Sequence, residues 1–294
     1  MLLDIWAPWC GPCKALGPVL EKLETAYTGR FVLAKLNSDE QPEIAGQLSQ
    51  MFGVRSIPFC VLFKDGQPVD GFVGALPESE VRAFLDKHVA SAEQVAAEQD
   101  VVQAKALLED GDIDSALEKL QEAVAINPGD ASARYEYLHA LLSAGRVAEA
   151  RRAYDPVSTS VVPDLRIAAC GHWLAACESA QSARPVAELE AIVVADKRNF
   201  DARFELAQQH FAARRFPQAM DEFLEILMRD KTWREGLARK ACVALLEVMT
   251  EPKAGPAKGV STRETSIELP GKQPIAARNP LVDSYRRRLS MVMF

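Results

Sequence analysis

The sequence predicts two folds in tandem, an α/β domain over residues 1–90 and an all-α helical repeat domain over residues 91–250. Three observations predict this. Short β-rich apolar runs alternate with amphipathic stretches as far as about residue 90. Strand-like runs then nearly vanish from an Ala- and Leu-rich chain, and small residues recur there at a spacing of 34. A length of 294 residues suits two domains, and 48% hydrophobic with 26% charged residues excludes a wholly disordered protein.

In the first part, LLDIW (2–6), FVLAKLN (31–37) and FCVLF (59–63) have strand length and composition, and GFVG (71–74) is a shorter run. Between them CKALGPVLEKLETAY (13–27) and EIAGQLSQMF (43–52) carry apolar residues at helical spacing. PESEVRAFLDKHV (77–89) closes the region as a third helix. DGQP (65–68) reads as a tight turn, so the last two strands should run antiparallel.

In the second part, Ala104, Ala116, Ala123 and Pro128 occupy offsets 8, 20, 27 and 32 of a 34-residue unit, which is the tetratricopeptide pattern. Ala150 follows Ala116 at that spacing, with Gly145 at the inter-helix turn and Tyr154 on the second helix. A third copy places Ala207, Ala219 and Phe223 at offsets 8, 20 and 24, with one degenerate unit at about 165–198 between. Small residues let paired helices approach, and bulky ones fill the space between units. Residues 251–280 hold eight Gly or Pro and predict a flexible linker. The end, residues 281–294, regains helical spacing through Leu281, Tyr285, Leu289 and Val292, beside Arg286, Arg287 and Arg288. It either docks on its own domain or is offered to a partner.

The net charge of −7 is uneven: −8 over residues 91–250 and +4 beyond residue 250. An acidic body without an aromatic-studded basic face argues against a nucleic-acid partner. No run of ~20 apolar residues predicts a membrane span, and no basic-then-apolar leader is visible. The expected location is therefore cytoplasmic, where a disulfide would be transient and catalytic. No phosphate-cradling loop points to ATP hydrolysis, and no cofactor other than a redox-active disulfide is expected.

Trp9-Cys10-Gly11-Pro12-Cys13 follows an apolar strand and opens an amphipathic helix, the context of a dithiol redox motif. The two-residue gap brings both sulfurs within bonding reach and leaves the first at a helix N-terminus, where free amide dipoles stabilise a thiolate. Cys10 is the expected exposed nucleophile and Cys13 the shielded resolving thiol. Pro12 suits the first turn, where its missing N–H costs nothing. The competing reading is half of a zinc site, for which Cys170, Cys177 and His172 are the one candidate second half. Cys60, Cys170, Cys177 and Cys242 otherwise read as core thiols.

LLDIWAPWCGPCK (2–14), AKLNSDEQP (34–42), SIPFCVLFKDGQPV (56–69) and FVGALPESEVRAFLDKHV (72–89) together resemble thioredoxin. The resemblance implies a protein-disulfide reductase in which Asp4 is a buried carboxylate relaying a proton for Cys13, and Lys35 is its partner. In an apolar strand, Asp4 should have its pKa raised by desolvation. The resemblance also implies that Ile57 and a cis Pro58 present backbone to an incoming chain, that Trp9 covers the Cys10–Gly11–Pro12–Cys13 loop, and that Gly74 lets substrate approach. Phe59 stands where thioredoxins usually have threonine, and would make the groove more apolar. By the family pattern the first strand and helix are absent. A start site upstream is the expectation, and AKLN should meanwhile form an unprotected sheet edge.

A thioredoxin domain followed by tetratricopeptide-like repeats, with PLVDSYRRRLSMVMF at the end, resembles the bacterial chaperedoxin family (CnoX/YbbN type). That resemblance implies a co-chaperone that holds unfolding or oxidised clients under oxidative stress and forms mixed disulfides with them. It also implies handover to a GroEL-type chaperonin through the C-terminal end, with thioredoxin reductase or glutathione as electron donor. A non-catalytic holdase and a plain reductase localised by its repeats are the alternatives.

Overall fold

The computed structural model describes residues 1–159, 164–250 and 279–293. The chain divides into two compact units, Met1–Gln99 and Asp100–Phe294.

The first unit is built on a four-stranded sheet of β1 (Leu2–Trp6), β2 (Leu33–Asn37), β3 (Phe59–Lys64) and β4 (Gln67–Val73), in the order β2-β1-β3-β4. β1 runs parallel to β2 and antiparallel to β3, and β3 and β4 form a hairpin. The hairpin turn places Asp65 and Gly66 at φ 51° and 78°, the left-handed pair that matches strand twist. β4 begins earlier than GFVG suggests. The hairpin draws the polar QPVD segment into pairing, with a register shift at Leu62/Phe63 beside Pro68, which has no N–H to give.

Alternation along the strands sorts the two faces. Leu2, Cys60 and Leu62 pack with Leu16, Leu20 and Leu23 of α1 (Gly11–Ala26) and with Val81 and Leu85 of α3 (Glu78–His88). Ile5, Phe59 and Val61 pack on the opposite face against Ala45 and Leu48 of α2 (Pro42–Phe52). β2, the strand that carries AKLN, is an edge strand.

Helices α4 (Ala92–Asp110), within which the two units divide, α5 (Ile113–Ile126), α6 (Ala131–Ser143), α7 (Val147–Tyr154), α8 (Leu165–Ala180), α9 (Val186–Ala195), α10 (Phe200–Ala212) and α11 (Phe216–Arg229) follow in succession, with α9 packed on α10. Ala104, Ala116, Ala123, Ala150, Ala207 and Ala219 are all fully buried, as helix pairing through small residues requires. Gly145 turns the chain between α6 and α7 at φ 73°. The degenerate unit is α8 and α9, and its Trp173 stacks on Phe211 in the middle of the helical core. α12 (Trp233–Met249) completes the array.

α13 (Pro280–Met293) docks on its own unit, against α11 and α12. Val282 and Tyr285 are buried, and Leu289 and Val292 pack beside them, whereas Leu281 faces outward. The stripe begins at Val282 and not at Leu281, because the face that meets α11 and α12 carries Val282, Tyr285, Leu289 and Val292; the Asn279 carboxamide caps the helix, accepting from the Leu281 N–H at 3.1 Å. The linker expected at 251–280 lies, save for its last two residues, outside the described residues. None of the described helices is long and apolar enough to cross a membrane.

Candidate active site

β1 delivers the chain to Cys10, which caps α1. Its backbone is extended (φ −81°, ψ 102°), and its Sγ accepts a hydrogen bond from the Cys13 N–H at 3.2 Å. A Sγ so placed meets one of the free amides of a helix start, which favours negative charge on it. Pro12 occupies the first turn of α1. Cys10 and Cys13 form a disulfide with their Cα atoms 5.3 Å apart. Ala7, Trp6 and Ile57 pack around the pair. Contrary to the sequence expectation, Cys10 is no more exposed than its partner, at 4% against 3%. Bonded to Cys13 and turned back onto the helix start, its sulfur is covered by the same neighbours.

The Ile57–Pro58 peptide is cis, and the Pro58 carbonyl accepts from the Gly74 N–H at 2.8 Å. Gly74 has φ 92°, which a side chain would strain, and a Cβ there or at Gly11 would meet nothing within 4 Å. Backbone is thus open to an approaching chain at both glycines. Trp9 is 70% exposed. Its indole N–H donates to the Asp39 carboxylate, at 3.1 and 3.3 Å to the two oxygens. Sequence reasoning missed Asp39. The available signal was its place just after β2, at the end of the sheet where β1 delivers Trp9.

Asp4 is 2% exposed, and burial raises its pKa above the usual carboxylate range. Two neighbours oppose that shift, the Cys60 thiol by a hydrogen bond and Lys35 by its charge. Asp4 is in register with Lys35 on β2 and with Cys60 on β3. The Lys35 ammonium binds Glu21 of α1, so it acts on Asp4 at a distance and shares its charge with a second carboxylate. The Cys60 Sγ lies 3.7 Å from the Asp4 Oδ1. Phe59 corrects an expectation: it points to the α2 side and stacks edge-on with Phe52, so it adds nothing to the groove.

A thioredoxin family model matches residues 1–87. The chain is 49% identical over 89 residues to thioredoxin of Chlorobaculum thiosulfatiphilum, an alignment covering 30% of this chain and 79% of the relative. The chain belongs to the thioredoxin family. Thioredoxin 2 of Chlorobaculum tepidum is 50% identical over 88 residues (30% of this chain, 77% of the relative). Thioredoxin 1 of Synechococcus elongatus is 45% identical over 89 residues (30% and 79%). Tetratricopeptide repeat models match residues 107–169 and 179–255, so this thioredoxin-family chain joins a redox fold to a protein-interaction array.

Cys170, Cys177 and Cys242 are free and buried, and burial pushes their thiols up to about 12, 11 and 12 respectively. Among the described residues, no group of three or more His, Cys, Asp or Glu is arranged to hold a metal ion.

Proposed function

We propose that the protein is a protein-disulfide oxidoreductase and co-chaperone, whose repeats hold a client while Cys10 exchanges with the client's disulfide. The observation that carries this reading is the Cys10–Cys13 disulfide at the start of α1, with the Cys13 amide on the Cys10 sulfur. In the reduced protein the Cys10 thiolate attacks one sulfur of a client disulfide, and the client's other sulfur leaves as a thiolate and takes a proton. Cys13, giving its proton to Asp4, then attacks the Cys10 sulfur. The mixed disulfide breaks, Cys10–Cys13 forms, and the client leaves with two thiols. A two-electron donor, thioredoxin reductase or glutathione, restores the dithiol. Ile57, Pro58 and Gly74 present backbone to the client, Gly11 and Pro12 shape the loop, and Trp9 forms its rim. Client held by the repeats keeps its disulfide at high effective concentration near Cys10. Oxidised or unfolded clients of the cytoplasm, and handover to a GroEL-type chaperonin, complete the reading.

The test is insulin reduction together with trapping. The wild type should reduce insulin, and Cys13→Ala should accumulate proteins covalently attached through Cys10. No turnover and no adducts, with suppression of citrate synthase aggregation retained in a Cys10→Ala, Cys13→Ala variant, would establish a holdase instead. Chaperonin co-elution that survives deletion of residues 280–294 would overturn docking through that end.

A further inference from the structure

Among the groups this mechanism leaves unused, the Cys60 thiol stands nearest its chemistry. Asp4 and Cys60 face each other across the antiparallel β1–β3 pair, on the sheet face covered by α1 and α3. Cys60 is fully buried, and its sulfur sits within hydrogen-bond range of the Asp4 Oδ1, at 3.7 Å. Burial and the neighbouring carboxylate drive the thiol's pKa far up, so it stays protonated and cannot serve as a nucleophile. A protonated thiol beside a buried carboxylate has one chemical use, to donate. The other charged neighbour that acts on Asp4 is Lys35 from β2, itself bound to Glu21 from α1.

Resting on the oxidoreductase reading above, we propose that Cys60 is a positioning residue: its S–H donates to Asp4 and keeps that carboxylate an ionised, oriented acceptor for the Cys13 proton in the resolving step. The proton passes from the Cys13 sulfur to the Asp4 oxygen, and the Cys60 proton stays where it is. The Cys13 thiolate then bonds to the Cys10 sulfur as the Cys10–client bond breaks. A donor to the ionised form makes protonation of Asp4 harder, opposing the effect of burial. The resolving step should therefore remain available at lower pH than burial alone would allow.

The test uses the full chain in three forms: wild type, Cys60→Ser, which keeps a donor, and Cys60→Val, which removes it while keeping water out. Asp4 is titrated by carboxyl-carbon NMR in the reduced proteins, its signal assigned by loss in Asp4→Asn. Decay of a preformed Cys10–peptide mixed disulfide is followed against pH. Cys60→Val should move the Asp4 midpoint up by about one pH unit and shift the decay profile with it, and Cys60→Ser should leave both near wild type. Cys60→Ala is a second donor-free form should valine overfill the strand. An unmoved Asp4 midpoint in the donor-free forms overturns the proposal, as does a midpoint that moves without the decay profile following. Failure of the wild type to reduce any disulfide would instead overturn the redox reading, and the NMR titration would still decide whether the thiol donates.

Discussion

The Tyr285 hydroxyl donates to the Pro217 carbonyl at 3.2 Å, fastening the C-terminal helix α13 to the first turn of α11. The same ring is buried and lies beneath the Arg288 guanidinium, which pairs with Asp221 at 2.6 Å. α13 is thus held by burial first and by surface charge second, since an exposed ion pair contributes little. Tyr285→Phe removes only the bond and should cost about 1 kcal/mol. Tyr285→Ala removes the ring and should cost about 3 kcal/mol. Urea unfolding gives both values, and amide exchange along α13 should accelerate in the alanine variant. Equal costs for the two substitutions would mean that the ring's packing contributes nothing.

Close helix approach in the repeat unit depends on Gly171 in α8. A Cβ added there would meet the Tyr154 ring, 2.5 Å from Cζ. Gly171→Ala should therefore destabilise the protein by about 2 kcal/mol through overpacking, although alanine is the better helix former. Adding Tyr154→Ala should restore part of that loss, so the double variant is less unstable than the two single costs combined. Additive costs in a double-mutant cycle would show that the ring is not the obstacle.

The dithiol and its setting were legible because spacing, strand and helix are all local: WCGPC needs only its neighbours to be placed on the first turn of α1. The repeats were legible because Ala116, Ala150 and Ala219 recur with the period of the structure. What escaped was long-range. Phe59 turned to the α2 face because a one-residue step along a strand changes sides, and Cys60 took the α1 side beside Asp4. That the Trp9 indole would donate to Asp39 depended on a loop that follows another strand. Val282 displaced Leu281 on the buried stripe because the face that meets α11 and α12 is set by elements distant in sequence.

Four free thiols, Cys60, Cys170, Cys177 and Cys242, are buried, and burial raises the pKa of each. Raised values mean that even mildly alkaline buffer leaves them protonated, and only the thiolate reacts. In the reduced native protein, Ellman's reagent at pH 7–9 should therefore reach no thiols beyond Cys10 and Cys13, and all six cysteines only after denaturation. Mass mapping of the labelled peptides checks the assignment. Rapid labelling of Cys177 in the native state would contradict its burial.

Asp4→Asn should separate stability from rate. Burial holds the folded-state pKa of Asp4 above its ordinary 3.8. An acid with a raised folded-state pKa binds more protons folded than unfolded, so folding is favoured at low pH and loses stability as pH rises through that window. Above the folded-state value the whole cost is present; below 3.8 both states are protonated and the pH-dependent part vanishes. The asparagine variant should accordingly unfold at higher urea concentration than the wild type at pH 8, and the advantage should shrink steadily toward pH 3. If, as proposed, Asp4 takes the Cys13 proton, insulin reduction by this variant should slow by at least about tenfold. A variant that is more stable and slower at once fits a carboxylate kept for chemistry at a cost to the fold. One that is less stable at pH 8, or as fast as the wild type, would remove Asp4 from the mechanism.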